Sequence, residues 1–293
     1  MKKVLLEKIK KVLDENNYQY VEYNHGCFDI IARDKEMFLI KIVGNVGSFQ
    51  REQSENMKIL SSSLDAKSLL VGVQTRREKL KDGILYERFG VPTVNFESFK
   101  CILENDYPFV YRLRGGLFAS VNKEKLKRGR KNKGLSQKEL AEKTDTTKKS
   151  IYEHEKTNKL VSLETVEKIE SLLGEDIKQP VKMEVASFKG NCRIGKGFEK
   201  RVLENLERVG FATSDINQAP FNIIAKERFI VLSEAETDER KIEKNLPYLN
   251  KISKITNKKA IVITDKKREY ETPSVEIAEL ECMEKSRDLK KRL

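Results

Sequence analysis

The chain has 293 residues, 35% of them charged and 38% hydrophobic, with a formal net charge of +12. No apolar run approaches the ~18–20 residues needed to span a bilayer, so the sequence offers no membrane partner. Four cysteines (Cys27, Cys101, Cys192, Cys282) lie far apart, and His25 and His154 are the only histidines. That pattern gives no zinc site and no disulfide framework, and it fits a reducing cytoplasmic setting without metal or cofactor.

Taken in chain order, MKKVLLEKIKKVLDENN starts like a signal peptide, but Glu7, Lys8, Lys10 and Lys11 interrupt the apolar core. It reads instead as an amphipathic helix. FDIIARDKEMFLIKI at 28–42 supplies two strands. LSSSLDAKSLLVGVQTRRE at 60–78 supplies a helix, an apolar strand and a basic turn. VPTVNFESFKCIL closes the segment with a strand and a short helix, completing about 100 residues of α/β structure. Arg112-Leu113-Arg114-Gly115-Gly116 then reads as a hinge in a linker over 109–119, because paired glycines free the backbone. Contact of its arginines with phosphate is an equal alternative. Tyr107, Phe109, Tyr111 and Phe118 read as interdomain packing, with base stacking as the alternative.

The most informative stretch is GLSQKELAEKTDTTKKSIYEHE at 134–155. Leu135, Leu140, Ala141 and Ile151 have the spacing of two short packed helices. Ser136, with Glu139 three residues on, forms a capping box for the first. Thr147 caps the second, leaving Lys148, Lys149, Ser150 and Glu153 exposed around its first turns. Between Arg112 and Lys159 there are 15 Lys/Arg against 6 Asp/Glu, which is nine of the net twelve positive charges. Such a concentration is suited to a phosphate backbone.

These residues resemble the Cro/C1 (XRE-type) helix-turn-helix domain, and TTKKSI (146–151) is close to the matching run in lambdoid phage repressors. The resemblance covers roughly residues 120–178. It implies that Gln137 contacts a phosphate and an adjacent base, and that Lys148, Lys149 and Glu153 read bases. Thr147 and Ser150 fall on backbone-contacting positions. It also implies a structural ion pair between Arg130 and Glu155. Asp145 departs from the pattern, since the family usually has glycine at this turn; Asp tolerates left-handed geometry better than most residues.

The rest of the chain repeats the first segment. FNIIAKERFIVLS (221–233) is similar to 28–42, and LNKISKITNKKAIVITDKKRE (249–269) to 60–78. Tyr18 answers Phe211, Ile9 and Leu13 answer Val202 and Leu206, and Cys101 answers Cys282. Each copy reads helix, strand, strand, helix, strand, then a final strand and short helix. GNCRIGKG (190–197) lacks the order of a phosphate loop, so no nucleotide site is expected there.

This order resembles restriction-endonuclease-like folds, including archaeal Holliday-junction resolvases, and KGFEKRVLENLERVGF (196–211) resembles their first helix. In that family two carboxylates hold Mg²⁺ and a lysine assists the nucleophile. Asp29 and Lys41 match the strand acid and the lysine, but Leu39 stands in the glutamate slot. In the second copy the slots are read as Asn222, Ile230 and Leu232. Asp29 and Lys41 are therefore vestigial, the first a strand-end acid and the second a solvated charge, and no enzyme is expected.

The expectation is thus a multidomain α/β plus all-α protein. A central five-helix Cro/C1-type domain (120–180) stands between two related, degenerate endonuclease-like α/β domains (1–108 and 181–293). This organisation resembles a group of archaeal transcriptional regulators. The expected function is sequence-specific binding of double-stranded DNA as a homodimer, with the helix at 147–155 in the major groove and any effector unknown. The alternative is a metal-dependent DNA nuclease or branched-DNA-binding factor.

Overall fold

A computed structural model describes residues 1–185 and 197–293; most of the glycine-rich 190–197 run, and Cys192, lie outside them. Helix α1 (Lys2–Glu15) buries Leu5, Leu6, Ile9, Val12 and Leu13, which recur at the three- and four-residue spacing of one helix face. Strands β1 (Gln19–Glu22), β2 (Ile30–Arg33) and β3 (Met37–Asn45) form an antiparallel meander in which Ile31 pairs with Leu39. Helix α2 (Arg51–Leu64) begins at a Gln50–Gln53 capping box and stops at Asp65, whose φ is +57°. Strand β4 (Lys67–Gln74) follows, then the hairpin β5 (Ile84–Arg88) and β6 (Val91–Val94) and helix α3 (Phe96–Leu103).

Residues 109–119 are not a linker. They hold β7 (Val110–Leu113) and the start of β8 (Gly116–Val121), an antiparallel hairpin with Leu113 opposite Gly116. Gly115 sits in its turn at φ +105°. The freedom of the paired glycines thus makes a tight turn between strands rich in branched and aromatic residues, not a hinge. Helices α4 (Lys123–Asn132), α5 (Gln137–Lys143), α6 (Lys148–Lys156) and α7 (Leu163–Leu173) come next. The two-residue strands β9 (Val161–Ser162) and β10 (Lys178–Gln179) both pair with β8. Four helices, rather than five, therefore build this part among the described residues, and β8 takes a place in their core through Ala119 and Val121.

The C-terminal segment comprises α8 (Phe198–Arg208), β11 (Ala212–Asp215), β12 (Ile223–Lys226), β13 (Ile230–Ala235), α9 (Glu239–Thr256) and β14 (Lys259–Thr264). It ends with β15 (Ser274–Glu276), α10 (Ile277–Cys282) and α11 (Ser286–Lys290). Three strands, not two, separate the first and second helices in each copy. No helix among the described residues is long and apolar enough to cross a membrane.

Main-chain hydrogen bonds repeat between the two α/β segments. Tyr18 N donates to Leu13 O and Phe211 N to Leu206 O; Tyr23 N donates to Asp29 O and Ile216 N to Asn222 O. Asp34 N reaches Glu36 O at 3.1 Å, and Glu227 N reaches Phe229 O at 2.9 Å. The two β-turns are therefore of equal length, and the second copy keeps the same spacing through the strand that follows. After the long helices, Asp65 and Asn257 are both left-handed, and the Ser61 and Ser253 hydroxyls donate to Ala66 O and Lys258 O.

The described residues fall into two compact units, one of residues 1–70 with 184–293, the other of 71–183. Within the first, the two copies face each other. Asn217 N donates to the Asn56 side chain at 3.0 Å, and the Tyr23 and Tyr248 rings meet edge-on at 5.1 Å. In both contacts the long helix of one copy, α2 or α9, touches the segment between the first two strands of the other, the arrangement of a pseudo-twofold. Cys27 N also donates to Gln218 O at 2.8 Å, and Arg33 Nη1 to Ile255 O at 2.9 Å.

Gly26 allows this approach, because a Cβ there would lie 2.0 Å from Gln218 O and 2.7 Å from the Tyr23 ring. Gly26→Ala must push the copies apart and is expected to lower stability by about 1–3 kcal/mol, the usual cost of overpacking. Denaturant titration of the full chain measures it; an unchanged midpoint would show that the contact yields without cost.

Candidate nucleic-acid interface

The four-helix core is closed by Leu126, Leu140, Ala141, Ile151, Val166, Ile169 and Leu173. Helix α5 starts at the expected capping box: Glu139 N donates to Ser136 Oγ and Ser136 N to Glu139 Oε2. Helix α6 starts at Thr147, whose hydroxyl accepts from Ser150 N at 3.1 Å. Between them Asp145 adopts φ +52°, the conformation a glycine would take, and Lys168 Nζ holds its carboxylate at 3.0 Å. The turn thus follows the expected path with a different residue.

Arg130 and Glu155 form the expected ion pair in a bidentate fork. Arg130 Nε lies 2.5 Å from Glu155 Oε1, and Nη2 lies 3.0 Å from Oε2. Arg130 Nη1 also donates to Leu135 O at 2.8 Å, so one guanidinium ties α4 to α6 and to the turn that leads into α5. Planar forked donors are suited to this. Burial works to raise the Glu155 pKa, but hydrogen bonds from Arg130 and Gln137 and their charge surroundings outweigh it and hold it low.

The Gln137 amide nitrogen donates to Glu155 Oε2 at 2.8 Å. Gln137 is therefore attached to the ion pair, a link that separate readings of the glutamine and the pair did not contain. Lys148 and Lys149 are exposed in the first turn of α6. The hydroxyls of Thr147 and Ser150 lie 2.9 Å apart and bond each other. Glu153 accepts from Lys159 Nζ at 2.8 Å, which lowers its pKa. Exposed pairs of this kind contribute little, so the carboxylate can change partners.

Tyr152 was not among the expected contacts. It is 45% exposed, and Lys156 Nζ stands 4.7 Å from its ring centroid. It follows Lys148 by four residues and Lys149 by three, so it shares their helix face. That spacing was the available signal.

The endonuclease-like positions are arranged differently. Asp29 is fully buried immediately before β2. Its Oδ1 accepts from Lys2 Nζ at 2.8 Å and lies 3.3 Å from Lys41 Nζ, while Oδ2 accepts from Ile42 N at 2.7 Å. Lys41 is 6% exposed and also donates to Gly26 O at 2.6 Å, so it is a buried partner rather than a solvated charge. Burial lowers its pKa, against the attraction of Asp29. With Leu39 where a second carboxylate would stand, and with both Asp29 oxygens engaged, this donor set does not fit a divalent cation, which favours several oxygen ligands.

In the second copy, strand pairing corrects the assignment. Ile224 pairs with Leu232 as Ile31 pairs with Leu39, so Leu232 and Glu234, not Ile230 and Leu232, answer Leu39 and Lys41. Asn222 occupies the Asp29 position and repeats its bridge, accepting from Ala235 N at 2.8 Å. Its amide also donates to Glu199 at 2.8 Å. Glu234 is 4% exposed and accepts from Asn245. Burial pushes its pKa up to about 7; Glu236 and Glu199 add to this, while Asn245 and Lys241 oppose it.

Comparison with known proteins agrees with this division. Residues 126–179 match the helix-turn-helix family, and residues 2–108 match the PD-(D/E)XK superfamily domain. A protein of Pyrococcus furiosus is 30% identical over 98% of this chain and 95% of its own. One of Methanococcus vannielii is 31% identical over 99% and 96%. One of Methanocaldococcus jannaschii is 28% identical over 99% and 95%. Each is named a "Putative HTH-type transcriptional regulatory protein". This chain belongs to that family. The alignments run almost end to end in both partners. No solved structure matches the chain.

Two substitutions test the electrostatics. Glu155→Gln leaves the Arg130 guanidinium half-paired and should cost roughly 2–4 kcal/mol at neutral pH. Because the folded pKa of Glu155 is depressed, its stabilisation is present above the ordinary glutamate range and lost as pH falls through the folded value. The variant should lack that acid-side loss in denaturation curves. Glu234 behaves in the opposite sense: its raised pKa makes the fold lose stability as pH rises from about 4.5 toward 7. Glu234→Gln should therefore gain roughly 3 kcal/mol over wild type between pH 4 and pH 8.5, which urea titrations at the two pH values measure.

Proposed function

We propose that the chain is a sequence-specific regulator that binds double-stranded DNA through α6 in the major groove, acting as a homodimer. The observation that carries this reading is the exposed face of α6. Lys148, Lys149, Tyr152 and Glu153 lie on a helix whose placement is fixed from behind by Arg130, Glu155 and Gln137. Lysines at the start of such a helix pair with guanine O6 and N7, and a carboxylate accepts from cytosine N4. Thr147 and Ser150, bonded to each other, are short donors suited to phosphate. Gln137, at the first position of α5, has its second N–H and its carbonyl for a phosphate and a neighbouring base. Dimeric helix-turn-helix proteins bind half-sites about 34–36 Å apart, so the operator should be palindromic.

In this reading the helix-turn-helix domain spans 120–180, and the flanking α/β segments are degenerate relatives of one nuclease-like fold retained for assembly or effector sensing. The match to the PD-(D/E)XK superfamily domain favours one second reading, a metal-dependent nuclease or branched-DNA-binding factor. It requires cleavage with Mg²⁺, or preference for four-way junctions over linear duplex, that Asp29→Ala removes.

Selection from random duplex at about 150 mM salt, a physiological ionic strength, tests the main reading. Wild type should yield a palindromic consensus that Lys148→Ala/Lys149→Ala loses. Lys149→Ala alone should weaken binding by about 1–3 kcal/mol and relax one base position. Equal weakening on all sequences would instead make Lys149 a phosphate contact, and the absence of any consensus would sink sequence-specific reading.

A further inference from the structure

The β7–β8 hairpin is held on both edges, with β7 paired in parallel to β5 through Ile84–Val110 and Leu85–Tyr111. Its ladder runs from Val110 opposite Ala119 to Leu113 opposite Gly116, leaving Arg114 and Gly115 at the tip. On its other edge β8 pairs with β9 (Phe118 with Ser162, Ala119 with Val161) and with β10 (Ser120 with Gln179). Ala119 and Val121 are buried in the core that also holds Ile151 of α6. Only residues 157–160 separate the end of α6 from β9. At ~3.3 Å per residue, the tip reaches about 16 Å beyond Ala119.

The tip is strongly basic. Arg112, near the end of β7, and Arg114, in the turn, are both exposed. A second basic turn lies beside them. Thr75 orders it, its hydroxyl accepting from Arg77 N and Glu78 N and its own N–H donating to Glu78 O at 2.8 Å. Arg76, Arg77 and Lys79 in this turn are exposed. Glu78 connects the turns, with its Oε1 3.8 Å from Arg112 Nη2. Five cations and one carboxylate thus gather where main-chain pairing holds them at a fixed distance from the base-reading helix.

We infer that this hairpin, with the 75–79 turn, is a second and sequence-independent DNA-contacting element, clamping backbone phosphates of the same duplex outside the segment read by α6. The inference depends on the DNA-binding reading above and extends it to residues outside the helix-turn-helix match. Arginine suits the task, since its fork bonds phosphate oxygens in pairs. The rigid ladder means that the cations are ordered before binding and lose little freedom on contact.

The test measures the salt dependence of full-length protein binding to a 30-bp mixed-sequence duplex between 50 and 200 mM salt. Each phosphate contact contributes about 0.9 to the slope of log K against log salt. Arg112→Ala/Arg114→Ala should reduce the slope by about 1.8, with thermal melting unchanged. Arg112→Lys/Arg114→Lys should restore it. Hydroxyl-radical protection should shorten at the flank while any selected consensus stays the same. Unchanged slope and footprint in the alanine variant, with both altered by Lys148→Ala/Lys149→Ala, would overturn the clamp and leave the α6 reading standing. The patch would then face some other polyanion, such as RNA or an acidic protein. Wild-type protein that binds no duplex would overturn both.

Discussion

What the helix-turn-helix presents to a partner depends on how α6 is seated on α4 and α5, and the seating is set by the Arg130–Glu155 pair. The core between these helices is made by Leu126, Leu140, Ala141 and Ile151, and apolar contact alone leaves the rotation of a nine-residue helix weakly defined. A forked ion pair has two fixed bond directions, and here the third arm of the guanidinium takes the Leu135 carbonyl. The same carboxylate holds Gln137 at the start of α5. Three backbone segments and one surface side chain are thus set by four hydrogen bonds. Pairs of this sort contribute less to net stability than their distances suggest, because desolvation offsets much of the attraction. Their value here is geometric.

The same distinction between energy and geometry applies to the nuclease-like positions. Asp29 and Asn222 differ in charge, yet each accepts from the main-chain N–H thirteen residues on, Ile42 in one copy and Ala235 in the other. The bridge fastens the strand entrance to the strand that follows, and either an acid or an amide can make it. What surrounds the bridge has reversed in sign. Lys2 and Lys41 face Asp29, whereas Glu199 and Glu234 accompany Asn222. Opposite charges around these positions are thus compatible with the same main-chain bridge.

Much of this was legible in the residues. Ser136, Glu139 and Thr147 state the starts of two helices because capping is local chemistry, and Asp145 declares its turn by tolerance of positive φ. The pairing of Arg130 with Glu155 came from a resemblance, and the structure supplies its distances. Three matters were not legible. Ile230 and Leu232 are both apolar and two apart, so apolar patterning cannot distinguish one strand register from another shifted by two; only the hydrogen bonds do. Lys41 in FLIKI looks solvated until Asp29 is brought against it from the residue just before β2. Arg114-Gly115-Gly116 suits a hinge or a tight turn equally, and the choice lies with β9 and β10, which are distant in sequence.

The discontinuity of the first unit has a consequence for synthesis. Residues 71–183 form a compact unit from one uninterrupted stretch, whereas residues 1–70 share their unit with 184–293. On the ribosome, at ~5–20 residues per second, the first copy waits on the order of ten seconds before the second begins to emerge. During that interval Gly26, Cys27 and Tyr23 lack the surface that will cover them. The helix-turn-helix unit can be complete before the unit that contains the chain's first residue, so maturation runs from the middle of the chain outward.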